Sequence, residues 1–206
     1  MPDHILVIAC GALAREIEWL KRHHGWHYLQ LQCLDAALHN HPEDIPARVE
    51  ALLEQSQGQF GHTFVAYADC GTGGQLDKVL ARWQVERLPG AHCYEFFATS
   101  PVFDELAETE PGTFYLTDFL ARHFDRLVID GLKLDKHPEL EAQFFGHYRK
   151  LMYLAQSDNP ELLAAAERAA ERLGLHFERL FTDMGDLGQT LESQVLRWQG
   201  GHHAAH

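Results

Sequence analysis

The chain has 206 residues, 46% of them hydrophobic and 23% charged, a composition that supports a packed core without disulfide staples. A formal net charge of −13 leaves no basic surface for phosphate, which excludes a nucleic-acid partner. No apolar run nears the roughly 18 residues of a membrane span, and "ILVIA" after Met-Pro-Asp-His lacks the length and basic flank of a signal peptide. A cytoplasmic protein with no membrane association is expected.

In chain order, "HILVIA" (4–9) is apolar and β-branched like a buried strand, and "GALAREIEWLKRHH" (11–24) sets Leu13, Ile17 and Leu20 at helical spacing. "WHYLQLQCL" (26–34) alternates apolar and polar residues as a strand does. "PEDIPARVEALLEQSQG" (42–58) predicts a helix with Glu43 and Asp44 in its first turn, where the helix dipole favours negative charge, and Gly58 past its end. "HTFVAYA" (62–68) predicts the third strand, "GGQLDKVLARW" (73–83) the next helix, and "VERLPG" (85–90) a short fourth strand. "CYEFFATSPVFDELAETE" (93–110) turns helical after Pro101.

The second half is richer in helix. In "PGTFYLTDFLARHFDRLVIDGL" (111–132) helix is expected from Thr117-Asp118 onward, while "TFYL" fits strand or helix. "HPELEAQFFGHYR" (137–149) predicts a helix and "KLMYLAQ" (150–156) a strand. "PELLAAAERAAERLG" (160–174) follows Asp158-Asn159, a capping residue before a proline at the first helical position, and closes on Gly174. "LHFERLFT" (175–182) predicts a strand and "LGQTLESQVLRW" (187–198) the last helix. Strands alternating with helices of this length predict an α/β fold, mostly parallel, doubly wound with helices on both faces, with room for two Rossmann-like halves. The expected division is 1–110, carrying all four cysteines, and 111–198, with a disordered His-rich tail at 199–206 and a boundary at Glu110-Pro111-Gly112.

The cysteines sit at related places. Cys10 follows "ILVIA", Cys33 follows "YLQLQ", Cys70 follows "FVAYAD", and Cys93 comes just after the fourth strand. Open parallel sheets bind ligands outside the carboxyl ends of their strands, so four thiols are expected on one rim. A single free cysteine packs as a small hydrophobe in many cores; the repetition at four strand ends carries the argument. No Cys-x-x-Cys pair marks a zinc ribbon or ferredoxin.

Cys70 opens Cys70-Gly71-Thr72-Gly73-Gly74, a turn into a helix. Gly71, Thr72, Gly73 and Gly74 are expected to present backbone N–H groups to a cofactor or anion, and the helix start is expected to lower the Cys70 pKa. The Gly-Lys-Ser/Thr ending of a P-loop is missing. "GAHCYEFF" adds His92, Cys93 and Glu95, and "LHNHPEDIP" supplies His39 and His41, which in an extended loop point the same way. The expected metal set is Cys10, Cys33, Cys70, His92 and Cys93, donors that suit zinc or an iron–sulfur cluster. A second reading makes Cys70 a metal-free nucleophile with His92 as its base. A third is a binding module for a small molecule or a protein. Asp118, Arg122, His123 and Asp125 read as a solvated helix face.

"ACGALAREI", "CLDAALHNHPEDIP", "YADCGTGGQLD", "PGAHCYEFF", "EPGTFYLTDFL" and "GLKLDKHPEL…FFGHYRKLMYLAQ" together resemble the family called domain of unknown function 1638, over about residues 5 to 190. The resemblance implies an association with corrinoid-dependent one-carbon metabolism, with a corrinoid protein or methyltransferase as partner.

Overall fold

The computed structural model describes residues 4–200, so most of the expected tail lies outside the described residues. The strands are β1 Ile5–Cys10, β2 Leu29–Leu34, β3 His62–Ala66, β4 Glu86–Arg87, β5 Thr113–Thr117, β6 Lys150–Ala155 and β7 His176–Phe181. The helices are α1 Ala14–His23, α2 Ile45–Gln55, α3 Gln75–Trp83, α4 Glu95–Ala98, α5 Ser100–Thr109, α6 Asp118–Arg122, α7 Glu139–Phe145, α8 Pro160–Leu173 and α9 Leu187–Gly200. The chain folds as two compact units, one running to Cys93 and resuming at Asp186, the other spanning Tyr94–Gly185. The boundary expected at 110/111 falls inside the second unit, and α9 belongs to the first. No helix among the described residues is long and apolar enough to cross a membrane.

The first unit is a parallel sheet in the order β2-β1-β3-β4. All six residues of β1 are buried, as a central parallel strand covered on both faces requires. The chain steps outward from β1 to β2, then returns past β1 to β3. That reversal opens a crevice between the carboxyl ends of β1 and β3, where such sheets bind ligands. Helix α1 buries Ile17 and Leu20, and α3 buries Leu76, Val79 and Leu80. Helix α9 buries Leu187, Leu191 and Val195. It is tied to this unit by Trp198 stacked on His62 at 5.4 Å and by Arg197 donating to Glu86 at 2.9 Å.

The second unit is a parallel sheet in the order β5-β6-β7. Strand alternation divides its core: Leu116, Leu151, Tyr153 and Ala155 pack with Ala121, Ala166 and Ala170, whereas Tyr115, Met152 and Leu154 pack with Ala98, Phe103 and Leu106. "TFYL" is therefore strand. Thr117 ends it and caps α6 by accepting the Leu120 N–H at 3.3 Å. The helix expected to run on to 132 breaks into α6 and a π-helical turn at Asp125–Asp130. Asp118 is not on a solvated face: it is 4% exposed and accepts bonds from the Tyr153 hydroxyl at 2.6 Å, the Gln156 N–H at 3.0 Å and the Ser157 hydroxyl at 2.6 Å.

Candidate metal centre

Three donors from three separate loops converge beyond the carboxyl ends of the first sheet. His39, Cys70 and Cys93 each bring a ligand atom within 4.8 Å of the other two, the two cysteines buried and His39 exposed. Cys70 follows β3 with a left-handed backbone, φ +49°. The Asp69 and Cys70 N–H groups donate to the Gly90 and Ala91 carbonyls at 3.1 and 2.8 Å, stapling this loop to the one that carries Cys93. The sulfurs of Cys70 and Cys93 stand 3.0 Å apart, and the Ala68 N–H donates to the Cys93 sulfur at 3.4 Å. His39 comes from a 3₁₀ turn, Ala36–Asn40, that follows β2, and its Nδ1 lies 3.1 Å from the Ala36 carbonyl.

Cys10 flanks this trio without joining it. Its sulfur accepts the Ala12 N–H at 3.3 Å and lies 3.8 Å from His39 Nδ1. Gly11 follows because the turn passes close to β2; a Cβ there would meet the Leu34 carbonyl oxygen at 2.9 Å. Tyr67 completes the surroundings. It is fully buried, its ring lies nearly parallel to His39 at 6.3 Å, and its hydroxyl bonds to the Cys10 sulfur.

The electrostatics separate the two thiols. A hydrogen bond from Cys93 lowers the Cys70 pKa to about 5 against the opposing effect of burial, with His39 adding to the fall. Donation to Cys70, together with burial, raises Cys93 well above its ordinary value. Although His39 is exposed as a residue, the desolvation of its ring nitrogens among the sulfurs pushes it down; its bonds to the Cys10 and Cys70 sulfurs outweigh this and raise it to about 11. Burial first, then the thiols of Cys10 and Cys93 and a hydrogen bond to the Cys10 sulfur, pushes Tyr67 upward, so it stays a neutral phenol. In the metal-free chain Cys70 is a thiolate beside an imidazolium, with Cys93 holding its proton. Two sulfurs and an imidazole are soft and borderline donors, a set suited to zinc or iron and poorly suited to magnesium or calcium.

The structure sorts the residues singled out from sequence. Cys70 and Cys93 meet, and Cys10 lies beside them. Cys33 does not, because it pairs with Ala9 while Cys10 pairs with Leu34. A one-residue offset sends its side chain to the opposite face of the sheet, where it is exposed. His92 is not a member of the donor group; it directly precedes Cys93, and neighbouring side chains on non-helical backbone point apart. His39 supplies the imidazole instead. His41 is exposed beside Glu43 at 3.7 Å: in a three-residue turn, residues two apart diverge.

The glycine loop is already occupied. The Asp69 carboxylate accepts the Thr72 hydroxyl at 2.7 Å and the Gly73 and Gly74 N–H groups at 3.0 and 2.8 Å. An anion at Gly71, Thr72, Gly73 and Gly74 would have to displace Asp69, so the observed role of this loop is to set the backbone that carries Cys70. Tyr67 drew no attention in the sequence because it extends an apolar strand and reads as core.

No curated protein and no solved structure matches the chain. Residues 33–191 match the family described as "Protein of unknown function (DUF1638)", a span that includes His39, Cys70 and Cys93 and leaves Cys10 outside. On that match, which covers most of its length, the chain belongs to the DUF1638 family.

Proposed function

We propose that the protein binds one zinc ion through His39, Cys70 and Cys93, leaves the fourth position open to a thiol substrate, and serves methyl transfer alongside a corrinoid protein or methyltransferase. The observation that carries the metal reading is the convergence of three donor atoms within 4.8 Å. A tetrahedral ion with bonds of about 2.3 Å holds two sulfurs roughly 3.8 Å apart, so Cys70 and Cys93 need to part by less than an ångström. Donors this close surround a single ion, which favours zinc over an iron–sulfur cluster whose thiolates must spread around several irons. The contact between Nδ1 and the Ala36 carbonyl keeps a proton on Nδ1, so once the imidazolium gives up its other proton the lone pair falls on Nε2, the arrangement usual for a ligating histidine.

Zinc with three protein ligands supplies Lewis acidity at its open position, where it lowers the pKa of a bound thiol or water. The residues here would hold the ion between two buried sulfurs and an exposed imidazole. Cys70 contributes a sulfur that is already a thiolate, and Cys93 and the His39 imidazolium would each give up a proton on binding. Methyl transfer and a corrinoid partner rest on the family resemblance and on the suitability of thiol activation to that chemistry.

Anaerobic metal analysis tests the reading, with the tail residues His202, His203 and His206 replaced by alanine in every sample. One equivalent of zinc in the parent and none in a Cys70→Ser/Cys93→Ser double variant is the expected result. Equal zinc content in both would refute it.

The depressed Cys70 pKa favours a second reading, a metal-free nucleophile paired with His39 rather than His92. A protein that takes up no zinc and whose Cys70 is alkylated with a midpoint far below that of an ordinary thiol supports this reading over the first.

A further inference from the structure

We infer that Cys70 and Cys93 form a modification site at which hydrogen peroxide joins the two sulfurs in a reversible disulfide, Cys70 reacting first and Cys93 closing the bond. The inference goes beyond the metal reading and stands without it, because it concerns the two sulfurs before any ion is bound.

The sulfurs stand 3.0 Å apart and need to approach by only about 1 Å more to reach disulfide length. The loops that carry them are already fastened to each other: the Cys70 N–H donates to the Ala91 carbonyl at 2.8 Å, and the Ala68 N–H donates to the Cys93 sulfur at 3.4 Å. Cys70 also keeps a side chain where the backbone favours none. Its φ is +49°, and Gly71, Gly73 and Gly74 just after it have positive φ as glycines. A Cβ in that conformation costs free energy that a further glycine would not, so the position is held for its sulfur.

Hydrogen-bond donors decide which sulfur reacts. The Cys70 sulfur is bonded by the Cys93 thiol, the His39 ring and the Cys93 backbone N–H, which stabilise negative charge on it and make it the nucleophile. Cys93 stands beside it as the resolving thiol. Both are buried, which limits the oxidant to a molecule as compact as hydrogen peroxide. The Cys70 sulfur attacks one peroxide oxygen and the O–O bond breaks. Hydroxide leaves, taking up the proton the Cys70 thiol has released, and Cys70 becomes a sulfenic acid. The Cys93 sulfur then attacks the Cys70 sulfur; the S–O bond breaks, the S–S bond forms, and the hydroxyl leaves as water with the Cys93 proton. Two thiols and one peroxide thus give one disulfide and two waters. Cys10 stays outside this step, its sulfur engaged by the Ala12 N–H, the His39 ring and the Tyr67 hydroxyl, and Cys33 lies on the opposite face of the sheet. Neither joined sulfur is a thiolate, so the same step would exclude a metal ion.

The test treats the full chain, reduced and stripped of metal by a chelator, with a stoichiometric amount of hydrogen peroxide. Remaining thiols are blocked with N-ethylmaleimide, and all four cysteines are mapped by peptide mass spectrometry. One intramolecular disulfide between Cys70 and Cys93, reversed by dithiothreitol, is the expected product, with Cys70 lost at least about tenfold faster than the exposed Cys33. In Cys93→Ser the reaction is expected to stop at a Cys70 sulfenic acid, trapped by dimedone, whereas in Cys70→Ser Cys93 is expected to stay reduced. A disulfide to Cys10 or Cys33, a Cys70 no faster than Cys33, or a Cys93 trapped by dimedone in Cys70→Ser would each overturn the inference. The parent decides it by itself if a variant fails to fold. Zinc uptake is measured on the same reduced sample. A parent that forms the disulfide but takes up no zinc ends the metal reading alone, and one that takes up zinc but joins no Cys70 to Cys93 ends this inference alone.

Discussion

Serine at position 70 keeps the size of the side chain and replaces a thiolate by a hydroxyl that stays protonated, so it removes one of three donors with little change in packing. Four-ligand structural zinc sites bind with about 10–16 kcal/mol, or roughly 3–4 kcal/mol per donor, which at about 1.4 kcal/mol per decade makes zinc binding about 100- to 1000-fold weaker. Cys93→Ser is expected to cost the same. Cys10 lies beside the trio, 3.8 Å from His39 Nδ1, so Cys10→Ser disturbs only the setting of the imidazole and is expected to cost less than about tenfold. Cys33 is exposed on the other face, so Cys33→Ser is expected to leave affinity unchanged. Competition against a chromophoric chelator, under reducing and anaerobic conditions, measures all four. A Cys33→Ser loss equal to that of Cys70→Ser would refute the placement of the site. A Cys10→Ser loss of that size would make Cys10 the fourth ligand and close the position assigned to substrate.

Three further outcomes follow from the geometry. In the metal-free protein Cys70 falls from 9.0 to about 5 and His39 rises from 6.5 to about 11. The unfolded chain binds the extra proton at Cys70 between those first two values, so stability there rises with pH; folded His39 binds the extra proton between the second two, so stability there falls with pH. The contribution of the pair should climb from pH 5 to 6.5, level off to pH 9 as the slopes cancel, and decline towards 11. Urea midpoints of parent and Cys70→Ala/His39→Ala across that range measure it, and a pH-independent difference would refute the charge assignment. Asp118→Ala leaves the buried Tyr153 hydroxyl and two half-buried donors, the Gln156 N–H and Ser157 hydroxyl, without an acceptor and should destabilise its unit by roughly 2 kcal/mol in urea unfolding, with zinc affinity unchanged because none of the centre's residues belongs to that unit. Asn159 caps α8 by accepting the Glu161 N–H at 2.8 Å, so Asn159→Ala should cost about 1 kcal/mol by the same measurement.

The parallel strands were legible because burial on both faces writes itself into sequence as unbroken apolar runs, as in Ile5–Cys10. Helix α8 was legible for a local reason as well, since Asn159, Pro160 and Gly174 mark its ends. "TFYL" could not be decided because four residues too apolar to show a period fit either structure; the pairing with β6 that makes it strand is a long-range fact. The break after α6 was hidden for a related reason. The composition of 118–132 favours helix throughout and carries no mark of the π-helical turn, which buries Leu127, Val128 and Ile129. Nor could local pattern assign α9 to the first unit: an apolar stripe records that a helix packs, not against what, and the contacts with His62 and Glu86 cross more than a hundred residues.

The site shows the same division between what strand position encodes and what register and turn geometry decide. Four cysteines at strand ends pointed to the rim where Cys10, Cys70 and Cys93 gather, because the carboxyl ends of parallel strands share one edge whatever the loops do. Which side chains meet there is settled one residue at a time. Cys33 is lost through a single step of register against β1. His39 is gained and His41 lost because their segment forms a 3₁₀ turn rather than an extended loop. The glycines after Cys70 suggested an open anion cradle, and Asp69, one residue before the cysteine, fills it. That occupation accounts for the site's construction. With its amides committed to Asp69, the loop is held in one conformation, and Cys70 keeps the left-handed backbone that brings its sulfur against Cys93. A cradle that bound a mobile phosphate would leave the thiolate free to move; one closed by the chain's own carboxylate holds it in place before any ligand arrives, the preorganisation that a metal centre with an open position requires.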